Sequence, residues 1–81
     1  MSATRHAAED WLRKAVRRAP RPLPPESFPV LLREAEAAGY APADLADVVD
    51  EWLSYGYCRI TDPVSGDLAV LPAGEVYMYT R

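Results

Sequence analysis

Three groups of side chains in this sequence have the types and spacing to do something chemical. The first is acidic. Asp44, Asp47 and Asp50 recur at every third residue, and Glu51 stands beside the last. On a helix such spacing strings carboxylates along an outward face. They lack the loop residues and the glycine of a calcium loop, so a cation site is not expected. An acidic helix face would instead meet a basic protein surface or imitate nucleic-acid charge. The bland alternative is a solvated face.

The second group is basic: Arg13, Lys14, Arg17, Arg18 and Arg21. Clustered cations bind phosphates or an acidic partner. They also serve as ordinary solvated surface, or answer the acidic residues of the same fold. The third group is aromatic. Tyr55 and Tyr57 flank Gly56, and Tyr77 and Tyr79 alternate near the end of the chain. Tyrosine is enriched at protein interfaces, so exposed pairs read as contact area. Partial burial against the domain is the competing reading.

Catalysis has no comparable support. His6 is the single histidine, and no Ser or Cys lies within three residues of it. General-base chemistry needs a positioned partner. Cys58 is the single cysteine, so no disulfide forms within the chain and no Cys/His cluster holds zinc. It reads as a small buried hydrophobe in a strand. No enzyme activity, cofactor or metal is expected.

Overall charge hides an asymmetry. The 81 residues carry −3, but residues 1–25 sum to +4 and residues 26–81 to −7. A basic leader thus joins an acidic body. With 49% apolar and 26% charged residues the composition is that of one globular domain, not of a disordered chain. No apolar run reaches the ~20 residues of a membrane span, and no apolar leader follows Met1. The reading is a cytoplasmic protein of a reducing compartment.

The elements that must position these groups follow from periodicity. Ala8, Trp11, Leu12, Ala15 and Val16 share one face of a helix expected over residues 4–19, which Pro20 ends. Trp11 belongs to its apolar face. Residues 20–26 form a proline-rich connector, stiff and extended. Its Pro22–Pro25 stretch, with Arg21 adjacent, also fits a short ligand for an aromatic groove. Residues 27–56 read as two helices around a tight turn. Ser27 is the expected N-cap of the first, Phe28, Leu31, Leu32, Ala35 and Ala38 its inner face, and Gly39 its end. Pro42 opens the second, whose stripe Leu45, Val48, Val49, Trp52 and Leu53 is unbroken until Gly56. Trp52 belongs in the core. Residues 57–80 read as a wing. Tyr57–Thr61 and Leu68–Leu71 flank a Pro/Ser/Gly/Asp turn with Asp62 and Asp67 at its tip. Pro72-Ala73-Gly74 reads as a further turn. Glu75–Thr80, rich in β-branched and aromatic residues, is expected as a third strand, with a short helix as its competitor.

Helix, connector, helix, tight turn, helix, strand, turn, strand: in that order the chain resembles the winged helix-turn-helix superfamily, and small MarR- and PadR-like domains in particular. The likeness rests on Leu45–Tyr57 and on Leu68–Gly74, where Leu71-Pro72-Ala73-Gly74 stands at the end of the wing. It implies an α+β, helix-rich fold: a three-helix winged helix-turn-helix with a C-terminal β-hairpin or a short three-stranded antiparallel meander. It also implies a third helix that enters the DNA major groove. Here the sequence departs from the pattern. Between Tyr40 and Cys58 there is no Lys or Arg, and the third helix carries four carboxylates. Those charges oppose a polyanion.

The expected function is therefore a non-enzymatic winged-helix module acting through protein contacts, within a transcription or nucleic-acid-processing complex. Its contact residues would be Asp44, Asp47, Asp50, Glu51, Tyr55, Tyr57, Tyr77 and Tyr79, facing a partner with a basic surface. The alternative is a DNA- or RNA-binding regulator using Arg13, Lys14, Arg17, Arg18 and Arg21. A homodimer would form through the first helix or through the edge of the third strand. No membrane partner is expected.

Overall fold

The computed structural model describes residues 3–80. Four helices and one β-hairpin make an α+β domain. The order is α1 (Ala3–Arg18), α2 (Ser27–Ala37), α3 (Pro42–Ser54), β1 (Cys58–Asp62), β2 (Asp67–Val70) and α4 (Pro72–Tyr79). Among the described residues no helix is long and apolar enough to cross a membrane.

Helix α1 packs against α2, α3 and α4. Its buried face is Ala8, Leu12, Ala15 and Val16, at the helical spacing read from the sequence. Helix α2 contributes Phe28, Leu31 and Ala35, and α3 contributes Leu45, Val48 and Trp52. The Phe28 and Trp52 rings meet edge to face at 6.2 Å, the favoured arrangement of two quadrupoles. Cys58, Leu68 and Met78 close the core from the hairpin and α4. Trp11 is half-buried and lies against Tyr40.

Two boundaries follow the sequence signals closely. Gly39 ends the α2 region at φ 106°, and Gly56 follows α3 at φ 75°. Both angles lie where side chains with a Cβ are strained. The start of α2 differs from expectation. Ser27 is already helical, and the N-cap is Glu26, in the left-handed region at φ 67°. Asp67 holds it there: the Glu26 N–H donates to Asp67 Oδ2 at 2.7 Å, and Leu68 N–H donates to the other carboxylate oxygen at 3.0 Å. Asp67, expected at the wing tip, is thus 5% exposed and anchors the connector to the hairpin.

The hairpin pairs Cys58 with Val70 and Ile60 with Leu68, with a bulge between Ile60 and Asp62. Asp62 shapes the turn by accepting the Val64 N–H, and Gly66 closes it at φ 77°.

The third strand does not form, and residues 72–79 are helix α4. Among the described residues the sheet has two strands, so the meander and a dimer through the edge of a third strand are both removed. The reason is positional. Pro72 presets the first helical turn and needs no hydrogen-bond partner there, so Pro72-Ala73-Gly74 starts a helix rather than forming a turn. Glu75 N–H closes that turn on Leu71 O at 2.8 Å. Gly74 and Met78, four residues apart, face inward. Tertiary packing overrides the β propensity of Val76, Tyr77 and Tyr79.

Candidate functional site

Replacing a strand by a helix reorganises the tyrosines. Residues two apart in a helix point to nearly opposite sides, so Tyr77 and Tyr79 separate. Tyr77 turns toward α1 and stacks on Tyr57, with centroids 4.5 Å apart and planes within 15°. Tyr55 continues the row at 5.6 Å from Tyr57. Tyr79 turns away and lies beneath the Arg21 guanidinium, 4.1 Å from its ring centre. Three of the four tyrosines proposed as contact area therefore form one ladder, and the fourth does not join it. Tyr55, at the ladder's end, is 63% exposed. Beside the ladder lies an open groove of about 410 Å³, walled by Arg13, Tyr57, Val76 and Tyr77.

Tyr77 is fixed from behind by a residue that no sequence motif singles out. Glu9 Oε2 accepts the Tyr77 hydroxyl at 2.5 Å and the Trp52 indole N–H at 2.9 Å. A buried indole N–H needs an acceptor, which was the one available signal, but nothing local paired positions 9, 52 and 77. Burial acts to raise the Glu9 carboxyl pKa. The hydrogen bonds from Tyr77 and Trp52, with the charges of Arg5 and Arg13, outweigh it and hold Glu9 below the usual range. Tyr77 answers in the opposite direction. Burial and the Glu9 hydrogen bond push its hydroxyl up to about 12.

The cations of α1 and the connector are largely engaged within the fold. Arg13 donates to the carbonyls of Tyr77 at 2.8 Å and Thr80 at 2.9 Å, and its guanidinium lies over the Tyr77 ring. Arg17 donates to Met78 O at 3.2 Å. These are carbonyls of the C-terminal end of α4, where positive charge is favoured. Lys14 pairs with Asp10 one turn away at 2.9 Å, and that bond lowers the Asp10 pKa. Arg21 approaches Glu75 at 3.9 Å in addition to Tyr79. Arg18 is exposed. The candidate nucleic-acid residues therefore do not form one open basic patch.

The acidic residues divide differently. Glu51 is half-buried and ion-paired with Arg5. Asp44 is half-buried in the first turn of α3. Asp47 and Asp50 are exposed, and among the described residues no cation is paired with either. Asp47, Glu51 and Tyr55 succeed one another at four-residue spacing, so the acidic stripe runs along α3 into the tyrosine ladder.

Cys58 is buried, and desolvation pushes its thiol up to about 11. His6 is exposed. Among the described residues no three His, Cys, Asp or Glu side chains converge as metal ligands would. No family model, curated protein or solved structure matches this chain.

Proposed function

We propose that this chain is a small, non-enzymatic module of winged-helix type that binds a protein with a basic surface. The order of three helices followed by a hairpin supports the winged-helix relationship, with α4 as an addition in place of a third strand. One observation carries the functional reading: Asp47 and Asp50 stand exposed and without a cationic partner among the described residues, on the helix that leads to Tyr55. Unpaired surface carboxylates steer and select a cationic partner, and an exposed tyrosine adds contact area once it arrives. Nucleic-acid binding is the weaker reading, because Arg13 and Arg17 are turned onto α4 carbonyls.

The test compares the wild-type chain with Asp47→Lys/Asp50→Lys as immobilised baits in a native host extract at low and moderate salt. Proteins retained by the wild type should be released by salt and absent from the charge-reversed bait. Retention indifferent to both changes refutes the reading. So does tight binding to long duplex DNA at ~50 mM salt, measured by fluorescence anisotropy.

A further inference from the structure

A second depression lies on the acidic side of the molecule, away from the tyrosine ladder. It runs between α2 and α3 and has a volume of about 270 Å³. Its floor is aliphatic: Leu32 from α2, and Leu45, Ala46 and Val49 from α3. Leu45 is buried, whereas Leu32 and Val49 keep part of their surface open to solvent. Glu36 and Asp50 line it from α2 and α3 respectively, and both are exposed. Neither carboxylate has a cationic partner among the described residues. Gly66, at the hairpin turn, adds a wall without a side chain.

These features select the chemistry of an occupant. An aliphatic floor favours a Leu, Ile or Met side chain, because burying it removes apolar surface from water on both partners. Carboxylates contributed by both helices favour a cation next to that anchor and repel acidic ligands and polyanions. No Lys or Arg lies between Tyr40 and Cys58 to offset them, and Arg33 on α2, though exposed, does not line the groove. A shallow channel between two helices matches the face of an amphipathic segment, whose anchors recur at i and i+4.

We infer that the α2–α3 groove docks a basic amphipathic segment of a partner protein, with an aliphatic anchor over Leu32 and Val49 and a Lys or Arg between Glu36 and Asp50. This rests on the reading of the chain as a binder of basic proteins and adds where the contact is centred and what the partner must present. No tyrosine of the ladder lines this groove.

The experiment is a ¹H–¹⁵N titration of the full chain with three synthetic peptides of equal length. The first is basic and amphipathic, with Leu at i and i+4. The second keeps the Lys and Arg residues and replaces each Leu by Ala. The third keeps Leu and replaces the cations by Glu. The first peptide should shift the amides of Leu32, Ala46, Val49 and Gly66. The second should bind about tenfold more weakly, and the third should not bind. Ala46→Arg and Glu36→Lys alter exposed positions and should each abolish the response while leaving the spectrum folded. Equal binding of the first two peptides overturns the groove and leaves the charge-based reading standing. Shifts centred on Tyr57, Val76 and Tyr77 do the same. No binding by any peptide overturns both.

Discussion

Glu9 and Tyr77, 68 positions apart, are joined by a 2.5 Å hydrogen bond that ties the first helix to the last. The same carboxylate oxygen accepts the indole N–H of Trp52, a side chain with no exposed surface. One charged group thereby satisfies donors from α3 and α4 at once. The junction fixes Tyr77, the ring on which Tyr57 stacks.

Removing the junction should be costly in proportion to what is left unpaired. Glu9→Ala strands the Trp52 N–H in the core and should lose ~1–3 kcal/mol. Tyr77→Phe leaves Glu9 bonded to Trp52 and should lose less, about 1 kcal/mol. Urea denaturation of the two variants measures the difference. Equal losses would mean that Glu9 does not link the two rings.

Stability should also depend on pH at both extremes. Glu9 is held below its ordinary value of 4.5 in the folded chain. Its contribution is therefore present above that value and is lost as pH falls through the lower folded one. Tyr77 is raised from 10.0 to about 12, so its contribution is complete below pH 10 and disappears between 10 and 12. Thermal unfolding against pH should show both limbs. Glu9→Gln should flatten the acid limb, and Tyr77→Phe the alkaline one.

The cations of α1 should divide by what they touch. Arg13 holds two carbonyls at the end of α4 and covers the Tyr77 ring, so Arg13→Ala should cost about 1–2 kcal/mol and speed amide exchange in residues 76–80. Lys14 makes one exposed pair with Asp10, and Lys14→Ala should fall within ~0.5 kcal/mol of wild type. Hydrogen exchange followed by mass spectrometry separates the two.

Elements with a local signature were legible in the sequence. The stripes of α1 and α3, the breaks at Gly39 and Gly56 and the hairpin all rest on spacing and turn chemistry within a few residues. Residues 75–80 differ from their sequence signal because Val76, Tyr77 and Tyr79 favour a strand, while the helix depends on distant partners. Those partners are Arg13, Arg17 and Glu9, more than sixty positions away. The anchoring role of Asp67 is hidden for the same reason: its bond to the backbone of Glu26 crosses 41 positions. Of the candidate site, the exposure of Asp47 and Asp50 follows from helical phase, whereas Tyr55 shares the phase of buried Val48 and is exposed because α3 ends before it. The engagement of Arg13 and Arg17, and the groove between α2 and α3, appear only once the helices are packed.

Cys58 should behave as a buried thiol. Its value rises from 9.0 to about 11, so at pH 8 the thiolate is about a hundredfold scarcer than in an open chain. Alkylation by iodoacetamide should be at least that much slower in the folded protein than in urea. A rate near the unfolded one would place the sulfur at the surface.

The close approach of α4 to the hairpin makes the sharpest prediction about the fold. A Cβ on Gly74 would lie 1.9 Å from the backbone oxygen of Tyr57, far inside any tolerated contact. That oxygen cannot easily retreat, because it also accepts the Leu71 N–H at 2.8 Å. Gly74→Ala must therefore push α4 away from the Tyr57 backbone, and with it the Tyr77 ring from Tyr57. The loss should reach about 3 kcal/mol, at the upper end for overpacking. Ala73→Ser, next to it but exposed, should stay within ~0.5 kcal/mol. Denaturation of both variants, with the aromatic near-ultraviolet circular dichroism of Gly74→Ala, tests the geometry. A Gly74→Ala protein with unchanged stability and an unchanged aromatic signal would show that α4 does not sit against the Tyr57 carbonyl.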